Sequence, residues 1–122
     1  MSRPVLVDTS MWIDHLRGEG GLEDLLHDGA VLTHPFVVGE LACGSLAERA
    51  EVLGLLSRLP AVEVVSHDEV MTTVETHRLW GGGLGWVDAH LLAAALLAGC
   101  PLLTRDRPLR DAAGRLGLPV VS

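Results

Sequence analysis

Pro4-Val5-Leu6-Val7-Asp8-Thr9-Ser10 reads as a short buried parallel strand that delivers an acid at its C-terminal end. Thr9 and Ser10 then offer hydroxyl caps to an amphipathic helix through Met11-Trp12-Ile13-Asp14-His15-Leu16, with Asp14 expected to face solvent. In an open α/β sheet, ligands bind beyond the carboxyl ends of the strands, so Asp8 stands where such a fold places chemistry. A strand-end aspartate also serves as a plain helix cap. What separates the two roles is whether other acids converge on the same edge.

Downstream, Arg17-Gly18-Glu19-Gly20-Gly21 is a turn, and Leu22, Leu25 and Leu26 mark one face of a short helix ended by Gly29. Ala30-Val31-Leu32-Thr33 reads as the second strand. His34-Pro35 then opens a helix, with proline where its missing N–H costs nothing and Val37, Val38, Leu41 and Ala42 on the apolar face. A further helix is predicted over 46–59, with Val52, Leu55, Leu56 and Leu59 inward, and Pro60 stops it. Val62-Glu63-Val64-Val65 reads as the third strand. Ser66 and Glu69 form a capping box for a helix to about Leu79, followed by the glycine-rich loop Trp80-Gly81-Gly82-Gly83-Leu84-Gly85. Trp86-Val87-Asp88 opens the most apolar helix, which runs to Ala98 and is closed by Gly99. Pro101-Leu102-Leu103-Thr104 is the fourth strand, and a short helix through Leu109, Ala112 and Ala113 leads to a last one at Leu118-Pro119-Val120-Val121. Alternating strands and helices predict one α/β domain over 1–122, a three-layer α/β/α sandwich with a mainly parallel central sheet.

Composition excludes several function classes. The chain of 122 residues has a net charge of −7 and is 48% hydrophobic, which argues for a folded core and against disorder. It contains no lysine, so Schiff-base chemistry and lysine-bearing phosphate loops are excluded. Tyr is absent and Phe36 stands alone, which disfavours a nucleic-acid module built on an aromatic stacking platform. An acidic chain needs a local basic patch or bound cations before it can hold nucleic acid. Cys43 and Cys100 have no partner at zinc-type spacing. With no signal-like N-terminus and no apolar run long enough to span a bilayer, a cytoplasmic location without membrane contact is expected.

Four acids carry the chemistry. Asp8 and Asp106 follow strand ends, Asp88 lies in the first turn of a helix entering from the same edge, and Glu40 belongs to the helix after strand two. Each has a bland alternative, as a cap or a solvated charge. Together the alternatives weaken, because clustered carboxylates repel one another unless cations neutralise them, and oxygen-only clusters suit Mg²⁺ or Mn²⁺. Such an ion activates water and stabilises in-line displacement at phosphorus, which makes phosphodiester hydrolysis the natural reaction. Arg105-Asp106-Arg107-Pro108-Leu109-Arg110, with Arg115, is the densest positive stretch and could hold phosphates at Arg105, Arg107 and Arg110. His90 could lie near the acids but is expected to pack or face solvent.

Asp8-Thr9-Ser10, Glu40-Leu41-Ala42-Cys43-Gly44, Gly85-Trp86-Val87-Asp88-Ala89-His90-Leu91-Leu92-Ala93-Ala94-Ala95 and Leu102-Leu103-Thr104-Arg105-Asp106 together resemble the acid motifs of the PIN domain, in the family's order. The chain's size resembles the VapC-type toxins of type II toxin–antitoxin pairs. The resemblance implies a ribonuclease that cuts transfer, ribosomal or messenger RNA, with Asp8, Glu40, Asp88 and Asp106 as catalytic Mg²⁺ or Mn²⁺ ligands and Thr9, Ser10 and Thr104 as their supports. It also implies a homodimer held silent by a VapB-type protein antitoxin. Two rivals stand beside it. A phosphatase using an Asp nucleophile wants a second Asp where this chain has Ser10, and a receiver domain wants a lysine. A non-catalytic interaction subunit would use Trp12, Trp80 and Trp86 as an interface.

Overall fold

The computed structural model describes residues 3–119 and 121. Its centre is β1 (Val5–Val7), all three residues of which are buried. β2 (Val31–Leu32) and β3 (Leu102–Leu103) lie on either side of it and both run parallel to it, giving the order β2-β1-β3. The register sets Val5 opposite Val31 and Val7 opposite Leu103. A strand flanked on both edges by parallel neighbours is shut off from water, which is why the apolar run does not alternate with polar residues.

The expected third strand at 62–65 does not form. Only Ala61 meets Thr33, in an isolated parallel bridge, supported by Val62 N donating to Thr33 O at 2.9 Å. Val62 and Val65 turn inward while Glu63 and Val64 are exposed, so the segment peels off the sheet edge after one rung. The expected last strand at 118–121 includes Val120, which lies outside the described residues; Leu118, Pro119 and Val121 are not in a strand.

The helices are α1 (Thr9–Leu16), α2 (Glu23–His27), α3 (Pro35–Cys43), α4 (Arg49–Arg58), α5 (His67–His77), α6 (Trp86–Ala98) and α7 (Arg107–Arg115). The chain winds from β1 to β2 to the Ala61 bridge in one direction, then returns to β3 on the far side of β1. Right-handed crossovers therefore put α1 to α4 over one face and α5 and α6 over the other. The packing agrees: α1 lies on α3, α3 on α4, and α5 on α6. This is the layered α/β arrangement expected.

Boundaries shifted where a backbone turn won over apolar spacing. α4 starts at Arg49 rather than Leu46, behind a left-handed Glu48 with φ +51°. Leu55 accordingly faces out and Leu56 carries the buried contact. α5 ends at His77, because Arg78 adopts φ +53° and closes it. Trp12 is fully buried, which removes it from any interface; among the described tryptophans only Trp80 and Trp86 reach the surface. α6 carries seven consecutive buried residues, Ala89 to Ala95, and its alanines let it sit close on the sheet and on α5.

His34 joins fold and titration. It caps α3, its Nδ1 accepting from Phe36 N at 2.9 Å, so the ring proton sits on Nε2. Protonation would break that cap and place a charge in a fully buried site beside His90. Burial, then the neighbouring His90, lowers the His34 pKa from 6.5 to about 4. As pH falls from 6.5 towards 4 the unfolded chain takes up a proton that the folded chain refuses, so stability falls across that window. The loss approaches roughly 3 kcal/mol at its acid end. Urea melts at pH 7 and pH 5 should show it, and His34→Asn, which retains a capping acceptor without the titration, should flatten the difference.

Candidate active site

The carboxyl ends of β1 and β3 are neighbours, and the chain reverses its winding between them. That crevice is the switch point at which α/β sheets bind ligands. Asp8 leaves β1 there and is 5% exposed. Its Oδ2 accepts from Thr104 Oγ1 at 2.7 Å and from Ser10 Oγ at 2.9 Å. Each hydroxyl has one proton and uses it on Asp8, so their 3.3 Å approach to each other is a contact and not a further bond. As acceptors the two oxygens fix the next loop: Arg105 N donates to Ser10 Oγ at 3.1 Å and Asp106 N to Thr104 Oγ1 at 3.0 Å.

Asp8 is the N-cap residue of α1, but neither its side chain nor a hydroxyl of Thr9 or Ser10 caps that helix. The expected hydroxyl caps instead tie acids in place. Thr9 Oγ1 donates to Glu40 Oε1 at 2.7 Å, bringing α3 against α1. Asp106 Oδ2 accepts from Leu109 N at 3.0 Å and caps α7. Asp88 Oδ2 accepts from Gly85 N at 3.0 Å, the reciprocal half of a capping box on α6. One pattern covers all four: a single carboxylate oxygen is anchored by a protein donor, and the other has no hydrogen-bond partner among the described residues.

Their charges meet at Asp88. Desolvation raises its pKa above the ordinary carboxylate value, the Gly85 N–H opposes this, and the charges of Asp8, Asp106 and Glu40 raise it further. The fold therefore brings together the four acids singled out in the sequence. Among the described residues none of the four forms an ion pair with an arginine. Arg105 is taken by Asp14, whose side chain is largely buried, so Asp14 is a structural ion-pair partner and not the solvent-facing residue expected. Arg110 donates to Arg105 O at 3.5 Å, and Arg107 has no hydrogen-bond or ion-pair partner among the described residues.

Four carboxylates with open oxygens and no cation form a donor set that suits a hard divalent ion. No three of the described acids, histidines or cysteines stand close enough as placed to share one ion, so the fit lies in donor chemistry rather than in preformed coordination. His90 is not part of the set. It is buried between Phe36 and Trp86, with ring centroids at 4.6 and 4.8 Å, and burial lowers its pKa. Sequence spacing could not reveal this aromatic cluster, nor the Asp14–Arg105 pair, because both join residues far apart along the chain.

Fold and site define an α/β domain with an acidic crevice at the switch point, and the chain belongs to the PIN domain family: that family's model, described as PIN domain, matches residues 5–115. The chain is 49% identical over 116 residues to Ribonuclease VapC32 of Mycobacterium tuberculosis, in both strain CDC 1551 / Oshkosh and strain H37Rv, covering 93% of this chain and 94% of the relative. The crystal structure of PAE2754 from Pyrobaculum aerophilum superposes with a TM-score of 0.66 at 22% identity, over 92% of this chain and 86% of that one, and shares the fold. The PIN and VapC-type resemblance carried by the four acid motifs is thus borne out. No helix among the described residues is long and apolar enough to cross a membrane.

The charge geometry has a measurable consequence. A carboxyl whose pKa is raised by folding gives stability that is lost as pH climbs from its ordinary value near 3.8 through the raised one. In metal-free buffer at neutral pH, Asp88→Asn should therefore melt higher than the parent, by on the order of a few degrees. The gain should vanish below pH 4, where the parent's Asp88 is protonated; scanning calorimetry at both pH values checks it.

Proposed function

We propose that this chain is a divalent-metal-dependent endoribonuclease that hydrolyses phosphodiester bonds in RNA as the toxin of a toxin–antitoxin pair. The observation that carries the reading is the set of four carboxylates at one sheet edge, each anchored through one oxygen and open at the other. The relative named Ribonuclease VapC32, matched across nearly the whole of both chains, supports it.

In this reading Asp8, Glu40, Asp88 and Asp106 would hold Mg²⁺ or Mn²⁺. When bound, the ion would supply Lewis acidity and lower the pKa of a water for hydrolysis at phosphorus. The chain's own contribution is positional. Thr104 and Ser10 orient Asp8 and, through their oxygens, hold the backbone that carries Asp106. Thr9 holds Glu40 across the crevice. Arg107, unpaired beside Asp106, is the best placed of the three expected phosphate contacts; Arg105 and Arg110 are engaged within the protein. Ser10 Oγ donates to Asp8, so the position where an Asp phosphatase would carry its second acid holds a proton donor instead, which disfavours that rival.

The partners follow from the same reading. A groove of about 570 Å³, lined by Ile13, Leu16, Glu40, Leu41 and Val52 among others, opens beside Glu40 and suits an antitoxin segment whose tail reaches the acids. Exposed Leu97, beside Val65 and Thr72, is an apolar position suited to a homodimer contact. The proposed setting is the cytoplasm.

Asp8→Asn is the decisive variant. The amide preserves shape, and the two hydroxyls retain an oxygen to donate to, so the fold should persist. Cleavage of total RNA in Mg²⁺ or Mn²⁺ should drop by orders of magnitude and growth inhibition should disappear. Added Mg²⁺ should raise the parent's melting temperature and raise the mutant's much less, by linkage. Glu63→Gln, an exposed acid away from the crevice, is the control and should change neither. Undiminished cleavage by folded Asp8→Asn would make Asp8 a structural residue and overturn the reading.

A further inference from the structure

A second groove, of about 310 Å³, runs between the loop after α5 and the start of α7. Its lining includes Arg78, Trp80, Arg107, Pro108 and Arg115, with Asp111 as its one acid among the described residues. In a chain of net charge −7 with nine basic residues, three of the nine arginines sit on this one groove. Arg78 and Arg107 are exposed and their guanidinium groups have no hydrogen-bond or ion-pair partner among the described residues, while Arg115 is steadied by donating to His77 O at 3.1 Å. Trp80 is 59% exposed and touches no other ring among the described residues, unlike Trp86, which packs on His67 and His90. An exposed indole face between unpaired cations is the arrangement that stacks a base and holds its phosphates.

Both walls of the groove begin at the acid crevice. Arg107 directly follows Asp106 at the start of α7. The loop of Trp80 continues to Gly85, whose N–H holds Asp88. The two walls touch where Gly83, at φ +84°, faces Pro108: a Cβ on Gly83 would come to 3.4 Å from Pro108 Cγ. The groove and the crevice thus share two chain segments, the start of α7 next to Asp106 and the loop that ends at Gly85, and the groove's size suits one nucleotide rather than a folded partner.

We infer that this groove binds a nucleotide of single-stranded RNA outside the acid crevice, Trp80 stacking its base while Arg78, Arg107 and Arg115 hold the adjoining phosphates. The inference rests on the ribonuclease reading and adds to it the place where substrate is gripped outside the acids. It also gives an acidic protein a local basic patch for a polyanion, since three of its nine arginines line one groove.

The test is fluorescence anisotropy with a single-stranded RNA of about 12 nucleotides, in EDTA so that the probe stays intact, over a series of salt concentrations. Trp80→Ala should weaken binding by on the order of 10-fold, and Trp80→Phe should recover most of it. Arg78→Asn, which suits the left-handed backbone, and Arg107→Gln should each weaken binding and lower the slope of log K against log salt by about 0.7. Arg58→Gln, exposed on α4, should bind as the parent does. Parent-like affinity and slope in all the groove variants would overturn the inference. So would unchanged RNA binding with a mass change by light scattering on Trp80→Ala, which would assign the groove to a second copy of the chain. Cleavage by the parent in Mn²⁺ is scored separately: its absence defeats the nuclease reading, whereas the binding series alone decides the groove.

Discussion

The hydrogen bond from Thr104 to the buried carboxylate of Asp8 joins residues 96 positions apart, and the remainder of the site depends on it. It can form only because β1 and β3 are parallel neighbours whose chains end at the same height, with Val7 opposite Leu103. Asp8 N donating to Leu103 O at 2.9 Å carries the pairing one step past the strand and sets the Asp8 side chain against Thr104. A buried carboxylate left without donors would cost several kcal/mol, so the two hydroxyls are what allow an acid to stand at 5% exposure here. The same hydroxyls accept from the next two backbone amides, and a support for Asp8 thereby also positions Asp106.

Charge is distributed to match. Desolvation and the charges of Asp8, Asp106 and Glu40 raise the proton affinity of Asp88, an arrangement unfavourable in itself. Arg105, one of the two arginines adjoining Asp106 in sequence, is paired with Asp14 on α1 and forms no ion pair with the four acids among the described residues. Arg78 and Arg107, whose guanidinium groups are unpaired among the described residues, line the groove with Trp80.

Kinship and geometry support the function from different sides. Identity of 49% to Ribonuclease VapC32 along nearly the whole length speaks to the family and its chemistry, whereas the 22% identical structure speaks to the fold alone. The geometry adds what neither could: how each acid is held, by which atom, and which oxygen remains open.

Much was legible in the chain. Apolar runs bounded by turn residues marked β1, β2 and β3, since a central parallel strand needs both faces apolar; the positions of Asp8, Asp88 and Asp106 at strand ends and a helix start marked one edge, whereas the place of Glu40 did not follow from its sequence position. Capping at Asp88 and Asp106 was legible too, because a cap is made within four residues. Tertiary structure decided the rest. Val62-Glu63-Val64-Val65 has strand composition, yet only Ala61 pairs, because strand formation needs a neighbour in register and the chain peels away from the β2 edge. Thr9 and Ser10 have the composition of caps but bond to Glu40 and Asp8, since a hydroxyl goes to the strongest acceptor that packing brings near, and charged carboxylates outrank backbone groups. Asp14 looked solvent-facing until the loop after β3 brought Arg105 to it from 91 residues away. Local sequence determined the elements and their caps, because those energies are local; which charges meet, and which remain open, was decided by the crossover that lays β3 beside β1.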